Sequence, residues 1–375
     1  MSDLFELPRE RSSKTRRAIA VGGLIVLWLA LFVDVVQWLV RLNGGFSAKV
    51  NFLSHLWPYF LFGGALAGLA ARGMPNILRS IPTVWLLVSL VFLLGKQMVP
   101  KVSLLPPLEA TLRVMTLNLG NAQGSRPRAV SYLRQRRNVD ILFLQEVHTG
   151  PGFRDRKSLE AALGGRLRHM AWFPAAPDKK HVLGLGVLSR YPLQEIRPLK
   201  LPAGEAAGKC SELAALTAKV RVRNRLVRLA TAHLCPPALP WMDDWGDSTG
   251  ITYRSISGWW SGMRVFEYTR RSQLDFLSTL AEGGVEPLIL GGDLSTTPYS
   301  LDLRRFNGVL RSAFAERGMG FGFTYSLGFL GARIDHIFSS SGLSARSASV
   351  ADVDISDHNP VEAVFEVLPT AKGKN

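Results

Sequence analysis

The sequence predicts an α/β domain built on two sheets, carried behind a segment of membrane-spanning helices. Two observations make that prediction. Long apolar runs crowd the chain before residue 100, and beyond about residue 111 it turns to short apolar strands ending in polar residues. Helical segments and loops separate these strands, a pattern that favours a pair of sheets over one doubly wound sheet.

The apolar runs come first. Ala18 to Val40 carries one charge, Asp34, and one other strongly polar residue, Gln37. As a helix it would extend about 34 Å, enough for a hydrocarbon core of about 30 Å. It is also longer than the core of a signal peptide and lacks a small-x-small cleavage site after it. Phe52 to Ala71 is the second run, with Gly63, Gly64 and Gly68 of the type that lets membrane helices approach closely. Ile81 to Val99 is the third. Three spans are therefore expected over 18–99, with two spans and a re-entrant segment, or a buried bundle, as the alternatives. Asp34 is expected to face the bundle interior or the outer interface.

Basic residues in the flanks set the orientation. Arg9, Arg11, Lys14, Arg16, Arg17, Arg72 and Arg79 would share one side, against Arg41, Lys49, Lys96 and Lys101 on the other. The positive-inside rule then puts residues 1–17 in the cytoplasm, and three crossings put the rest of the chain outside it. Residues 100–110, with three prolines and no amphipathic period, read as a short, stiff linker. A domain over 111–367 and a tail over 368–375 complete the organisation.

Within the domain, Thr111 to Leu119 alternates as a strand ending at Asn118, and Arg128 to Arg137 has helical character. Asp140 to Leu144 is a buried strand presenting Gln145 and Glu146, and Gly184 to Ser189 is another. Leu213 to Val222 and Leu226 to His233 form a hairpin about Arg223-Asn224. Tyr268 to Glu282 reads as a helix, and Pro287 to Leu290 as a strand running into Gly291-Gly292-Asp293. Ile334 to Phe338 and Val361 to Val367 are strands flanking Ser356-Asp357-His358.

Strand ends along one rim can bring several side chains to one point. Asn118, Glu146, His233, Asp293, Asp335, Asp357 and His358 all lie at such ends. Any one of them could be a turn former, but together they make a metal-ligand and acid/base set, with no Gly-rich phosphate loop beside it. Such a set supports phosphoester hydrolysis. A hard cation, Mg²⁺ or Mn²⁺, takes carboxylates and polarises a phosphoryl oxygen. A carboxylate or imidazole activates water, and a second imidazole protonates the leaving group.

At these positions the chain resembles the endonuclease/exonuclease/phosphatase superfamily. The matching stretches, in the family's order, are VMTLNLG at 114–120, ILFLQEV at 141–147, GVLSRYPL at 186–193, TAHL at 231–234, GGDLSTTP at 291–298, RIDHIF at 333–338 and SDHNPV at 356–361. The resemblance implies a four-layer sandwich, two mixed sheets face to face with helices outside. It implies that Glu146 is the main metal carboxylate, that Asn118 helps place metal and phosphate, and that Asp357 lies close to the metal. It implies that Asp293 orients or activates the attacking water and that Asp335 orients the imidazole of His358. His358 would act as general base or phosphate stabiliser, and His233 as acid for the leaving group. Where the family usually carries Asn, two residues after the GD aspartate, this chain has Ser295, a shorter donor.

Substrate contacts are expected from Ser295, from Arg333 at the head of RIDHIF, and from Trp259 and Trp260. The tryptophans belong to a long segment over 235–268 that also holds Trp241, Met242, Trp245, Met263 and Phe266. That segment reads either as a small satellite core or as a lid beside the site, where Trp suits the headgroup level of a bilayer. Cys210 and Cys235 lie near the open ends of the 213–233 hairpin. Pairing about Arg223-Asn224 sets Cys235 opposite roughly position 212, so a disulfide outside the cytoplasm or two separate buried thiols are the readings. The absence of a CxxC pattern argues against zinc.

The formal charge is +16, of which +6 lies before residue 111 and +10 after it. This suits anionic partners or serves solubility. The leading expectation is a membrane-anchored, metal-dependent phosphoesterase acting on a lipid or lipid-linked phosphate outside the cytoplasm, with the bilayer as its partner surface. Its three-span anchor also resembles bacterial envelope phosphatases of the teicoplanin-resistance type, an analogy of architecture. A membrane-tethered nuclease is the second expectation, and a non-catalytic membrane binding protein the third. Nothing in the sequence requires an obligate protein partner.

Overall fold

The computed structural model describes residues 9–43, 48–70, 76–99, 101, 111–120, 126–148, 155–174, 183–203, 210, 213–236, 256–327 and 330–369. All but Lys101 of the linker lies outside these, as does the tail after 369. The chain divides into a helical unit (residues 1–99 with 299–301) and an α/β unit holding the rest.

The helical unit consists of α1 (Arg9–Asn43), α2 (Ala48–His55), α3 (Trp57–Ala70) and α4 (Asn76–Met98). Among the described residues, two helices are long and apolar enough to cross a membrane, α1 over Ala18–Gln37 and α4 over Asn76–Met98. The expected third span is corrected. The middle run breaks after His55, where Leu56 N turns back to Leu53 O and Tyr59 N to Leu56 O. Pro58, with no amide hydrogen, suits the first turn of a new helix. The resulting α3 has 14 residues and extends about 21 Å, short of a hydrocarbon core. Helix α1 starts at Arg9 and so includes the basic residues Arg9, Arg11, Lys14, Arg16 and Arg17.

Asp34 faces the interior. Its Oδ1 accepts from Trp57 Nε1 at 2.7 Å, and its Oδ2 from Trp85 Nε1 at 2.7 Å and Ser89 Oγ at 2.9 Å. One carboxylate thus ties α1, α3 and α4 together, and its three donors offset the cost of burying it. Of the three glycines singled out above, Gly63 meets nothing, whereas a Cβ on Gly64 would come 2.5 Å from Ala30 Cβ.

The α/β unit holds two six-stranded mixed sheets. The first has the order β13-β14-β1-β2-β4-β3, with β1 (Thr111–Asn118), β2 (Ile141–His148), β3 (His169–Phe173), β4 (Leu183–Ser189), β13 (Leu343–Val350) and β14 (Val361–Val367). The second has the order β5-β6-β7-β8-β12-β9, with β5 (Leu193–Lys200), β6 (Ala214–Val222), β7 (Arg225–His233), β8 (Leu288–Asp293), β9 (Arg311–Ser312) and β12 (Asp335–Ser339). Each sheet has one parallel pair, β1 with β2 and β7 with β8. A hairpin of β10 (Tyr325–Leu327) and β11 (Leu330–Ala332) stands apart.

Period-2 alternation explains the layers. Leu112 and Val114 of β1, Ile141 and Phe143 of β2, Val227 and Leu229 of β7, Ile289 of β8 and Ile337 of β12 meet in one core between the sheets. Their neighbours Met115, Leu117, Leu142 and Leu144 point the other way, into a second core shared with Ala129 and Leu133 of α5 (Arg126–Gln135) and Leu159 of α6 (Asp155–Leu163). Ala230, Ala232, Leu288 and Leu290 likewise join Leu274 and Leu277 of α7 (Ile256–Glu282). These are the helix–sheet–sheet–helix layers of a four-layer sandwich.

Helix α7 starts twelve residues earlier than the sequence suggests. Met263 and Phe266 are buried in it, so that part of the aromatic segment is core. Trp241, Met242 and Trp245 lie outside the described residues, as do the side chains of Trp259 and Trp260.

The β6–β7 register pairs Ala215 with Ala232, and Cys210 and Cys235 form a disulfide. Cys235 is held from α7 as well: its N donates to Gln273 Oε1 at 2.9 Å and its O accepts from Arg270 Nη1 at 3.1 Å. Arg270 is itself fully buried against Glu267. The disulfide closes a sequence separation of 25, so replacing both cysteines by serine is expected to cost about 3 kcal/mol. That is a fall in melting temperature on the order of 10 °C. An unchanged melting temperature would mean that α7 alone holds this corner.

Candidate active site

The parity that builds the core also builds the site. Asn118, His233, Asp293 and Asp335 continue the inward-facing series of β1, β7, β8 and β12, and each stands at a strand end. In the second sheet, His233 pairs with Asp293 and Asp293 with Asp335, forming one row across three strands. Glu146 breaks parity, because simple alternation would send it outward with Leu142 and Leu144. The β2–β4 ladder shifts between Leu144 and Val147, and Glu146 adopts a left-handed φ of 53°. This bulge turns its carboxylate to the rim, at the expense of local strain.

Asn118 is the hub. Its Nδ2 lies 3.0 Å from both Glu146 Oε1 and Asp293 Oδ2, and its Oδ1 accepts from Gly120 N at 2.9 Å. His233 Nε2 approaches Asp293 Oδ2 at 3.6 Å and Glu146 Oε1 at 3.8 Å. From the other side His358 Nε2 stands 3.9 Å from Asp293 Oδ2, while its Nδ1 is 2.8 Å from Asp335 Oδ2. Asp357 is exposed at the edge, its Oδ1 accepting from Ser356 Oγ at 3.1 Å. Ser356 Oγ also reaches Asn118 O at 2.9 Å, joining the SDH turn to β1.

Electrostatics sort the two ends of this row. Burial alone would lower the His358 pKa, but Asp335 beside it, with Asp293 and Asp357, carries it up to about 10. Burial pushes Asp335 upward, against the pull of His358. The proton of the pair belongs to the imidazole, which faces three carboxylates. At neutral pH His358 is therefore a cation aimed at the rim. His336 shows the contrast. Burial and Arg333 lower its pKa to about 4, so it stays neutral, and its Nε2 reaches Thr296 O at 2.8 Å to brace the loop after Asp293.

Among the described residues, Asp293, Asp335 and His358 form a group whose ligand atoms lie within 4.8 Å of one another. Asp335 and His358 pair with each other through Asp335 Oδ2, while Asp335 Oδ1 is buried without a hydrogen-bond partner among the described residues. Glu146 and Asp293 each take one N–H of the neutral Asn118 amide, and carboxylates drawn so close favour a cation between them. Oxygen donors with a nearby imidazole fit a hard divalent ion.

Ser295 and Arg333 are placed differently from the substrate contacts expected of them. Ser295 is buried with φ 48°; its N donates to Asp293 Oδ1 at 2.7 Å, and its Oγ lies 3.1 Å from Leu234 O and 3.3 Å from Asp293 Oδ1. The hydroxyl thus braces Asp293 and turns away from the rim. Arg333 is 3% exposed, its guanidinium 4.0 Å over the Phe314 ring and donating to Phe321 O. Sequence reading missed Tyr325. Its ring centroid is 4.9 Å from that of His358, and burial with Asp357, Asp293 and Glu146 raises its pKa. A phenol kept protonated at the rim is a hydrogen-bond donor, and its only signal in the sequence was its place ten residues before Asp335.

The fold has counterparts among solved structures. The crystal structure of an endonuclease/exonuclease/phosphatase from Beutenbergia cavernae is similar, with a TM-score of 0.52 and 22% identity over 69% of this chain and 72% of that one. Structures of a humanized D. rerio TDP2 and of an endonuclease/exonuclease/phosphatase from Bacteroides vulgatus each reach a TM-score of 0.49 at 16% identity, covering 69% of this chain and 100% of theirs. No curated protein matches the chain in sequence. The model of the Endonuclease/Exonuclease/phosphatase family matches residues 115–358, a span that holds Asn118, Glu146, His233, Asp293, Asp335 and His358, and the chain belongs to that family.

Proposed function

We propose that this protein is a membrane-anchored, divalent-metal-dependent phosphoesterase that hydrolyses a phosphate ester or pyrophosphate of a lipid or lipid-linked substrate outside the cytoplasm. The observation that carries the chemistry is the meeting of Glu146 and Asp293 on the Asn118 amide, flanked by His233 and the His358–Asp335 pair. Glu146, Asn118 and Asp357 would hold Mg²⁺ or Mn²⁺, which when bound polarises a phosphoryl oxygen. Asp293 orients the attacking water and the His358 cation faces the phosphoryl oxygens. His233, on the opposite flank, protonates the leaving group.

Membrane substrates are favoured by the apolar helices α1 and α4, since tethering raises the effective concentration of anything in the bilayer. The side of the membrane turns on parity. Two crossings with a cytoplasmic N terminus return the domain to the cytoplasm. An outer domain therefore requires an N terminus outside as well, because two crossings leave both ends of the helical unit on one side. The Cys210–Cys235 disulfide supports the outer location, because such bonds persist in oxidising compartments. The +10 charge after residue 110 favours a nuclease instead.

The test is the full chain in detergent micelles with Mg²⁺ or Mn²⁺, offered polyprenyl pyrophosphate, phospholipids and plasmid DNA beside Glu146→Ala and His358→Ala. Lipid phosphate release lost in both variants is the expected result. DNA cleavage lost in both, with no lipid turnover, would replace the lipid reading by the nuclease one. Silence on the whole panel would support a non-catalytic binding protein.

A further inference from the structure

Beneath the catalytic rim lies a second polar layer that none of the roles above uses. Thr116 stands two residues before Asn118 on the inward face of β1, and Thr231 two residues before His233 on the inward face of β7. Gln145, immediately before Glu146, reaches both. Its Nε2 donates to Thr231 Oγ1 at 2.8 Å and lies 3.1 Å from Thr116 Oγ1, while Thr116 Oγ1 is 3.2 Å from Gln145 Oε1. All three residues are completely buried. Thr116 and Gln145 belong to one sheet and Thr231 to the other, so this is a hydrogen-bonded bridge across the interior of the sandwich.

Its surroundings make it unusual. The inter-sheet core around it is apolar, with Val114, Phe143 and Leu229 as neighbours in the strands. Apolar faces grip one another without direction, and small slides between them cost little specific energy. A buried amide is different, because any slide that breaks its bonds leaves polar atoms unsatisfied in a dry interior. Gly291 permits the close fit here, since a Cβ on it would come 2.5 Å from the Phe143 ring. The bridge therefore pins the two sheets about 7 Å, two strand residues, below the rim. At that rim the first sheet presents Asn118 and Glu146, and the second presents His233 and Asp293.

We propose that Gln145, acting with Thr116 and Thr231, is a positioning residue of the phosphoester site. Its bridge sets where the Glu146 carboxylate, on its strained bulge, meets His233 and Asp293 from the opposite sheet. The inference rests on the functional reading above, and it names what aligns that site.

Thr231→Val tests it with almost no change of shape, and Thr231→Ser restores the hydroxyl. Kinetics and Mn²⁺ affinity, the latter by electron paramagnetic resonance, are measured on the full chain in micelles. Misplacement of reacting groups by about 1 Å can cost roughly 100-fold in rate. Thr231→Val is accordingly expected to lower kcat about 10- to 100-fold with KM little changed, and to weaken Mn²⁺ binding. Thr231→Ser should recover most of both.

A purely structural role predicts instead a lower melting temperature, with kcat and Mn²⁺ affinity within twofold of wild type. That result overturns the proposal. If wild type hydrolyses none of the phosphoesters, the functional reading fails on its own. Mn²⁺ affinity then still decides the bridge: equal affinity in wild type and Thr231→Val rejects it, and weaker binding in the variant supports it.

Discussion

Replacing Glu146 by glutamine is expected to lower metal-dependent hydrolysis by at least about 10³-fold, the several kcal/mol that a lost Lewis acid removes from the transition state. The side chain keeps its size and can still accept from Asn118 Nδ2, so the geometry of the hub survives. What disappears is one of two carboxylates drawn to the same donor. Without metal, those like charges repel. The metal-free variant should therefore melt no lower than wild type, while its half-saturating Mn²⁺ concentration rises steeply. The pairing of intact stability with lost activity separates a ligand from a structural residue. Retention of a tenth of the activity with unchanged Mn²⁺ dependence would remove Glu146 from the metal's coordination.

The second large effect is expected from Asp335→Asn. Asp335 is completely buried, 2.8 Å from His358 Nδ1, and is the chief cause raising that imidazole's pKa to about 10. The sign follows directly. A raised histidine pKa keeps the cation present well above neutral pH and loses it as pH climbs toward the folded value. Activity that needs the His358 cation thus falls on the alkaline side. A divalent ion beside Asp293 opposes the proton, so the limb of the metal-loaded enzyme lies below 10. With asparagine at 335 the ion pair is gone, burial works unopposed by its strongest partner, and the limb should move toward acid pH. At neutral pH the loss should be on the order of 10²- to 10⁴-fold, as when a carboxylate that orients a catalytic imidazole is neutralised. A profile of kcat/KM against pH checks it; a limb that stays where wild type has it would mean that another group titrates there.

Much of this molecule is written locally. β1, the 214–233 hairpin and β14 declare themselves by alternation, and their observed bounds lie within a residue or two of the expected ones. Two of the missed strands are polar. β5 is mostly exposed at a sheet edge, with Glu195 at φ 47°, and β13 alternates serine with small residues. Neither carries the apolar period that marks a strand from sequence. The start of α7 was missed for the opposite reason: its N-terminal turns are rich in aromatic residues, which resemble a loop cluster until Met263 and Phe266 are seen to be buried. The middle apolar run looked long enough to span a bilayer, because composition does not register the break after His55.

By itself the sequence determined which residues could do chemistry. Strand periodicity placed Asn118, His233, Asp293 and Asp335 at strand ends, and residue type made them ligands, acids and bases. Periodicity is a property of one strand at a time, and it cannot say how two sheets face each other. Only the tertiary structure decided that Glu146 leaves its expected face through a bulge. It alone turned Ser295 inward onto Asp293 and Arg333 onto Phe314, and brought Tyr325 against His358. The bridge from Gln145 to Thr231 spans 86 positions of sequence and belongs to the same class. Such contacts depend on side-chain direction and on packing between distant segments, and their energies exist only once the sandwich has closed.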